Sequence, residues 1–337
     1  MRGVVIEVAL VLAVIFGTSS TEDARALVNT DPVVVAGRLT VDLYQWYAPV
    51  GLRVDLGSVS ADPARERVVE IVSQIQRADY EGDRTALNQL YDQLVPFVDE
   101  PEVASRIRYW RGFAKWRRAI NGFNEMPTPK DLAEDLAEGE SEFDAAIQRD
   151  PGFVDAKVGA ASCAVNRLFL EGVFTNEKNP TRFREVLAPV SLLLKDAAAA
   201  EPNNPRLLWV IGPNQWSTPP ERGGGQDKAM AIYQKGLEAA RAHKGSSTSA
   251  PLEPSWGEPE LLTSLAWSNL HRDRPDLSAA EQYAQAALKL VPYWHYVRDI
   301  LMPQILAAQA KAAKDRVGGA NRDRDLQTMP SAANGTV

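Results

Sequence analysis

A helical signature returns along this chain at nearly constant intervals: an apolar residue, a small residue three positions later, and a proline five after that. It reads Phe143, Ala146, Pro151, then Leu194, Ala197, Pro202, then Ala284, Ala287, Pro292. Two copies without the proline, Tyr91, Leu94, Asp99 and Tyr233, Gly236, Arg241, keep the spacing. The end positions are 52, 51, 39 and 51 residues apart. Self-similarity at such a period marks a repeat protein, in which no single helical hairpin buries its own apolar face and neighbours must stack. This constrains the architecture before any chemistry is considered.

A length of 337 residues suggests two domains, but a repeat array grows in one direction and is read here as one continuous body. With 45% hydrophobic and 24% charged residues there is enough apolar surface for a sizeable core. A net charge of −7 and no broad basic stripe exclude nucleic acid as an expected partner. The single cysteine, Cys163, allows no internal disulfide and no thiolate cluster. It lies in the small-residue run Gly159 to Ala164, which predicts a buried, inert thiol.

At the start, Met1 to Phe16 carries one basic residue and a short apolar run, and Ala24-Arg25-Ala26 has the small-x-small pattern of a signal-peptidase site. Residues 1–26 are therefore expected to be an export signal, placing the protein in the periplasm or outside the cell. Glu7 within the run leaves a mis-assigned start or a buried N-terminal helix, with a cytoplasmic location, as the alternative. The run is too short for a stable membrane span, which takes about 20 apolar residues. Over residues 27–61 the pattern alternates, with Leu39, Val41, Leu43 and then Leu52, Val54, Leu56 on either side of Pro49 and Gly51. That period of two fits a small strand pair or an extended linker.

From Asp62, the expected N-cap of a helix opened by Pro63, the chain reads as helical hairpins to residue 317. A helix to Tyr80, a turn at Gly82-Asp83 and a helix over 84–98 come first. Further helices are expected over 102–122, 130–149, 154–172, 182–200, 206–212, 226–243, 260–272, 278–291 and 294–316. Residues 245–259 read as a Ser, Gly and Pro loop, and the polar tail 318–337 as disordered.

These residues resemble the tetratricopeptide repeat family, whose hairpins pair a helix bearing a small residue at the crossing with a second helix of the form A-x-x-x-F ending at a proline. Gly112, Ala161, Gly212 and Ala266 are similar to the small residue of the first helix. Ala229 with Tyr233, and Ala280 with Ala284, are similar to the start of the second. Gly139 and Val190 depart from the pattern, and the intervals near 51 exceed the 34 of the family repeat. The resemblance implies an all-α solenoid of about five hairpins. The stretch from Asn204-Pro205 through Gly223-Gly224-Gly225 to Leu237 is also similar to exported bacterial proteins of this type, some of which accompany substrate-binding transporters.

No H-E-x-x-H, G-x-S-x-G or paired C-x-x-C is present, and His243, His271 and His295 are scattered, so no catalytic set and no cofactor are expected. Gly223 to Lys228 lacks the Ser or Thr a phosphate loop needs, because Ala229 follows Lys228. Six basic residues between Arg106 and Arg118 face a run of acids from Asp131 to Asp144, which predicts either neutralisation across one hairpin or capture of an acidic or carboxylate group. In the family the first helix of each hairpin lines a concave groove. The resemblance therefore places Arg106, Tyr109, Trp116, Arg117, Asn166, Arg206, Trp209, Trp216, Trp267 and His271 along one partner-binding surface, rich in the residue types that dominate binding energy. The leading expectation is a non-enzymatic scaffold holding a segment of another protein. The alternative is a periplasmic carrier of a small ligand, with an enclosed pocket near Trp209 and Trp216.

Overall fold

The computed structural model describes residues 2–8, 12–16, 41–47, 63–172, 180–244 and 251–328. The chain divides into two units, Met1–Ala61 and Asp62–Val337. In the first, β1 (Arg2–Val8) pairs antiparallel with β2 (Leu12–Phe16) and with β3 (Val41–Tyr47), in the order β2-β1-β3. Val4 faces Phe16 on one side and Gln45 on the other. The apolar run expected as the core of an export signal is thus split into two strands. Val41 and Leu43 do lie on a strand, but its partner is β1, while the expected partner arm at Leu52 to Leu56 lies outside the described residues.

The second unit is all-α. Its helices are α1 (Pro63–Glu81), α2 (Arg84–Gln93), α3 (Ala104–Gly122), α4 (Leu132–Arg149), α5 (Val154–Leu170) and α6 (Pro180–Ala200). They continue as α7 (Pro205–Ser217), α8 (Gln226–Lys244), α9 (Glu258–His271), α10 (Leu277–Leu290) and α11 (Met302–Thr328). Consecutive helices pack on one another, most extensively α3 on α4. Helices α4, α6 and α10 each end two residues before Pro151, Pro202 or Pro292, as the signature requires. Between α1 and α2 the turn is set by Gly82, at φ +73°, and by the Asp83 side chain, which accepts from the Ala86 N–H. Asp62, the expected N-cap of α1, lies outside the described residues.

Small residues sit where helices cross. A Cβ on Gly112 would come within 2.9 Å of the Phe143 ring, and one on Gly212 within 2.0 Å of Tyr233. Ala161 and Ala266 are fully buried. Gly212→Ala is expected to destabilise the protein by about 1–3 kcal/mol through overpacking against Tyr233, and chemical denaturation measures it.

Three boundaries differ from expectation. Helix α7 does not stop at Gly212 but runs through Pro213 to Ser217. Proline removes one backbone bond, yet the continuation packs on α8 and carries Trp216 into edge-to-face contact with Trp267 at 5.3 Å. Helix α2 ends at Gln93 and passes into a 3₁₀ turn at Val95–Phe97, where Pro96 cannot continue the helical ladder. The final helix opens as a π-helical turn, Tyr296–Leu301, and α11 continues to Thr328, into the tail expected to be disordered.

The largest departure lies in the loop before α9. The chain from Pro251 to Gly257 enters the body and packs against the inner face of α3. Leu252 and Trp256 are buried in the same cluster as Tyr109, Trp110, Phe113 and Trp116. Trp110 Nε1 donates to the Leu252 carbonyl and Trp256 Nε1 to the Tyr109 hydroxyl, each at 2.8 Å. Arg106 Nε donates to Glu253 at 2.8 Å. A segment read as a Ser, Gly and Pro loop is therefore part of the core, because two large apolar side chains and two buried donors find partners there. The first helix also meets the last elements. Tyr80 stacks edge-on with Trp294 at 5.0 Å, and its hydroxyl donates to Glu260, 180 positions away, at 2.8 Å.

Candidate functional site

The charges between Arg106 and Arg118 are all engaged within the protein. Arg108 and Arg111 both hold Glu142, at 2.9 and 2.8 Å. Lys115 pairs with Glu138 at 2.5 Å, and Arg118 with Asp131 at 2.6 Å and with Asp135. Arg106 binds Asp150 as well as Glu253. The basic run thus neutralises α4 and its surroundings, and the acidic or carboxylate group expected as its ligand finds those residues occupied. Tyr91 illustrates the cost of that burial: desolvation pushes its phenol up to about 12, even though Arg111 lies over its ring.

Of the residues expected on one groove, several are elsewhere. Tyr109 is fully buried and Trp116 is 1% exposed, both covered by Trp256, so they are core rather than partner surface. Arg206 is locked onto Asp155 by two bonds of 2.7 and 2.9 Å, and Asn166 turns back on Ser162 one helical turn earlier. His271 stacks on Trp267 at 4.3 Å and holds the Trp267 carbonyl at 2.8 Å through Nδ1.

The remaining four, Arg117, Trp209, Trp216 and Trp267, come together around a cavity of about 420 Å³. Helices α3, α7, α8 and α9 and the start of the π-helical turn build it. Phe123, Tyr233, Trp294 and Tyr296 complete its aromatic walls, and Asn121, Ser264, Thr263 and Glu260 supply polar groups. Trp209 is oriented by donating Nε1 to Ser264 Oγ at 3.1 Å. Tyr233 was legible only as a repeat position. Trp294 and Tyr296 follow Pro292 closely, and no periodicity in the sequence ties them to residues some 80 positions earlier.

Behind one wall lies a buried charge cluster. Arg117 Nε donates to both oxygens of Asp79 at 2.8 Å, and Asn121 Nδ2 donates to Asp79 Oδ1 at 3.0 Å. Glu260 accepts from Tyr80 and, through Oε2, from the Gly257 N–H at 2.9 Å. Burial works against the Arg117 charge, but Asp79 and then Glu260 outweigh it and raise the guanidinium further above neutrality. Burial raises the Glu260 carboxyl, with Arg117 opposing. Arg117 and Thr263 line the cavity, and each also buries one polar atom, Nη1 and Oγ1, beneath its surface without a hydrogen-bond partner among the described residues. Cys163 lies apart, fully buried, its thiol pushed well up by desolvation. Among the described residues no group of three His, Cys, Asp or Glu could hold a metal ion, and no helix is long and apolar enough to cross a membrane.

No known family model matches the chain, and no curated protein does. Among solved structures, the HusA haemophore from Porphyromonas gingivalis is similar at 19% identity and a TM-score of 0.47, over 63% of this chain and 95% of that one. That likeness is too slight to carry a function across.

Proposed function

We propose that this is a non-enzymatic binding protein whose tryptophan-walled cavity holds a small, largely apolar ligand. The carrying observation is the convergence of Trp209, Trp216 and Trp267 with Tyr233 on a concave, mainly aromatic cavity. A cavity of about 420 Å³ lies within the range of small-molecule sites. A scaffold for a partner segment would use the inner face of α3, and Leu252 and Trp256 of this same chain already cover it. The reading includes the tetratricopeptide-like repeat as its framework and a periplasmic or secreted location. The location is checked by sequencing the N-terminus of the mature protein, with a start after Ala26 expected.

Native mass spectrometry of protein isolated from its own cells tests the main reading. A bound mass of a few hundred daltons is expected, whereas a stoichiometric second polypeptide with no small mass would return the protein to the scaffold class. In vitro, Trp267→Ala is expected to weaken binding of the uncharged fluorophore N-phenyl-1-naphthylamine by roughly tenfold. Its thermal midpoint should fall by only a few degrees, about what a partly exposed ring is worth.

A further inference from the structure

We infer that the cavity selects a methylated ammonium cation carried on an apolar, aromatic-sized body, in preference to the same shape without charge. The inference rests on the ligand-binding reading above and adds the charge of the ligand to it. Two observations carry it, the aromatic faces of the walls and the balance of charge beneath them. Trp209, Trp216, Trp267 and Tyr233 surround the space together with Trp294 and Tyr296. Trp216 and Trp267 meet at 66°, so their indole planes form a corner and not a parallel slot. The face of an aromatic ring is electronegative, and walls set at an angle let one cation lie against more than one face.

Among the described residues the charged side chains that line the cavity are Arg117 and Glu260. Asp79, behind that wall, accepts from Arg117 Nε through both oxygens, so one cation stands against two carboxylates and the wall is net negative. Both oxygens of Glu260 accept hydrogen bonds, from Tyr80 and from the Gly257 N–H, as an ionised carboxylate does. Arg298 and Asp299, which follow Tyr296 closely in the chain, pair with each other at 2.7 Å and leave that balance unchanged. Arg117, Asp79 and Glu260 are 3%, 1% and 2% exposed, so the excess charge acts across protein and is weakly screened. A ligand need not touch Glu260 to feel it. With those oxygens buried and engaged, a primary ammonium would lose its hydration and gain no acceptor from them. A quaternary ammonium has no N–H to satisfy, and ring faces and field suffice to hold it. A carboxylate would meet a negative wall and electronegative ring faces together.

Two probes of one shape isolate the charge: meta-hydroxyphenyltrimethylammonium and meta-tert-butylphenol, which differ by a cationic nitrogen in place of a carbon. Calorimetric titration of the full chain at neutral pH is expected to show the cation binding at least about tenfold tighter, the scale of a desolvated cation–π contact. It should also displace N-phenyl-1-naphthylamine, which places it in the cavity. In about 1 M sodium chloride, where exposed charges are screened within about 3 Å, the preference should persist. Trp267→Leu, which keeps an apolar side chain but removes a ring face, and Glu260→Gln, which removes the excess charge, should each lower the ratio of the two affinities about threefold or more. Because Glu260 also holds Tyr80 and Gly257, the partly exposed Trp267 carries the test if Glu260→Gln does not fold. Equal or tighter binding of the neutral probe, loss of the preference in salt, or an unchanged ratio in Trp267→Leu would each overturn the inference. If N-phenyl-1-naphthylamine binds and the cation shows no preference, the cavity reading stands and the inference fails. If nothing binds, both fail together.

Discussion

Trp256→Ala is expected to lower the stability of the protein by about 3–5 kcal/mol, the range for deleting a buried aromatic side chain. Trp256 is 5% exposed and lies against Phe113, Trp116 and Trp209, with ring centroids 5.5 to 5.8 Å away. Its loss opens a hole in the middle of this cluster and leaves the Tyr109 hydroxyl without its donor. For a chain of this size the thermal midpoint should fall by roughly 10 °C. Ser255→Ala, one residue earlier but exposed, should change stability by less than about 0.5 kcal/mol. The comparison measures whether the segment from Pro251 to Gly257 is core or decoration. A Trp256→Ala protein as stable as the parent would show that the segment does not occupy the inner face of α3 in solution. It would also reopen that face as a groove for a partner.

Breaking the Arg117 pair is the second large effect. Arg117→Met removes the cation and leaves Asp79, 1% exposed, with Asn121 as its remaining side-chain donor among the described residues. An uncompensated buried carboxylate costs about 3–5 kcal/mol. The pair itself is worth far less than that loss suggests, because both groups were desolvated to form it. The double variant Asp79→Leu with Arg117→Met should therefore recover most of the stability, to within about 1 kcal/mol of the parent. Urea denaturation of the two single variants and the double variant closes the cycle. Additive losses would mean that the two side chains do not interact.

Much of the helical framework was legible because it rests on local rules. The recurrence of Phe143-Ala146-Pro151, Leu194-Ala197-Pro202 and Ala284-Ala287-Pro292 located the ends of α4, α6 and α10, since a helix cannot run on through proline without losing a bond and clashing with its preceding turn. Complementary charge on α3 and α4 was visible as two runs of opposite sign, and the structure joins them pair by pair. By the same rule Pro213 would end α7 near Gly212, yet the helix runs on to Ser217. The cost of the proline was outweighed by packing on α8 and by the contact between Trp216 and Trp267, neither of which is a property of the local sequence.

The site was legible in part. Arg117, Trp209, Trp216 and Trp267 were named as candidates and do share one cavity, whereas Tyr109, Trp116, Arg106 and Arg206 were named on the same grounds and serve the core or ion pairs. Residue type and helical spacing place a side chain on a face of its own helix. They do not say what covers that face. Here the cover over α3 comes from Leu252 and Trp256, more than 130 positions along the chain in a stretch that reads as a Ser, Gly and Pro loop. The sequence by itself determined an all-helical body, its proline-marked boundaries and its small-residue crossings, because each depends on neighbours within one or two helices. Only the tertiary structure decided which aromatic residues were core and which walled a cavity, because burial belongs to surfaces that meet, and the meeting partners were remote.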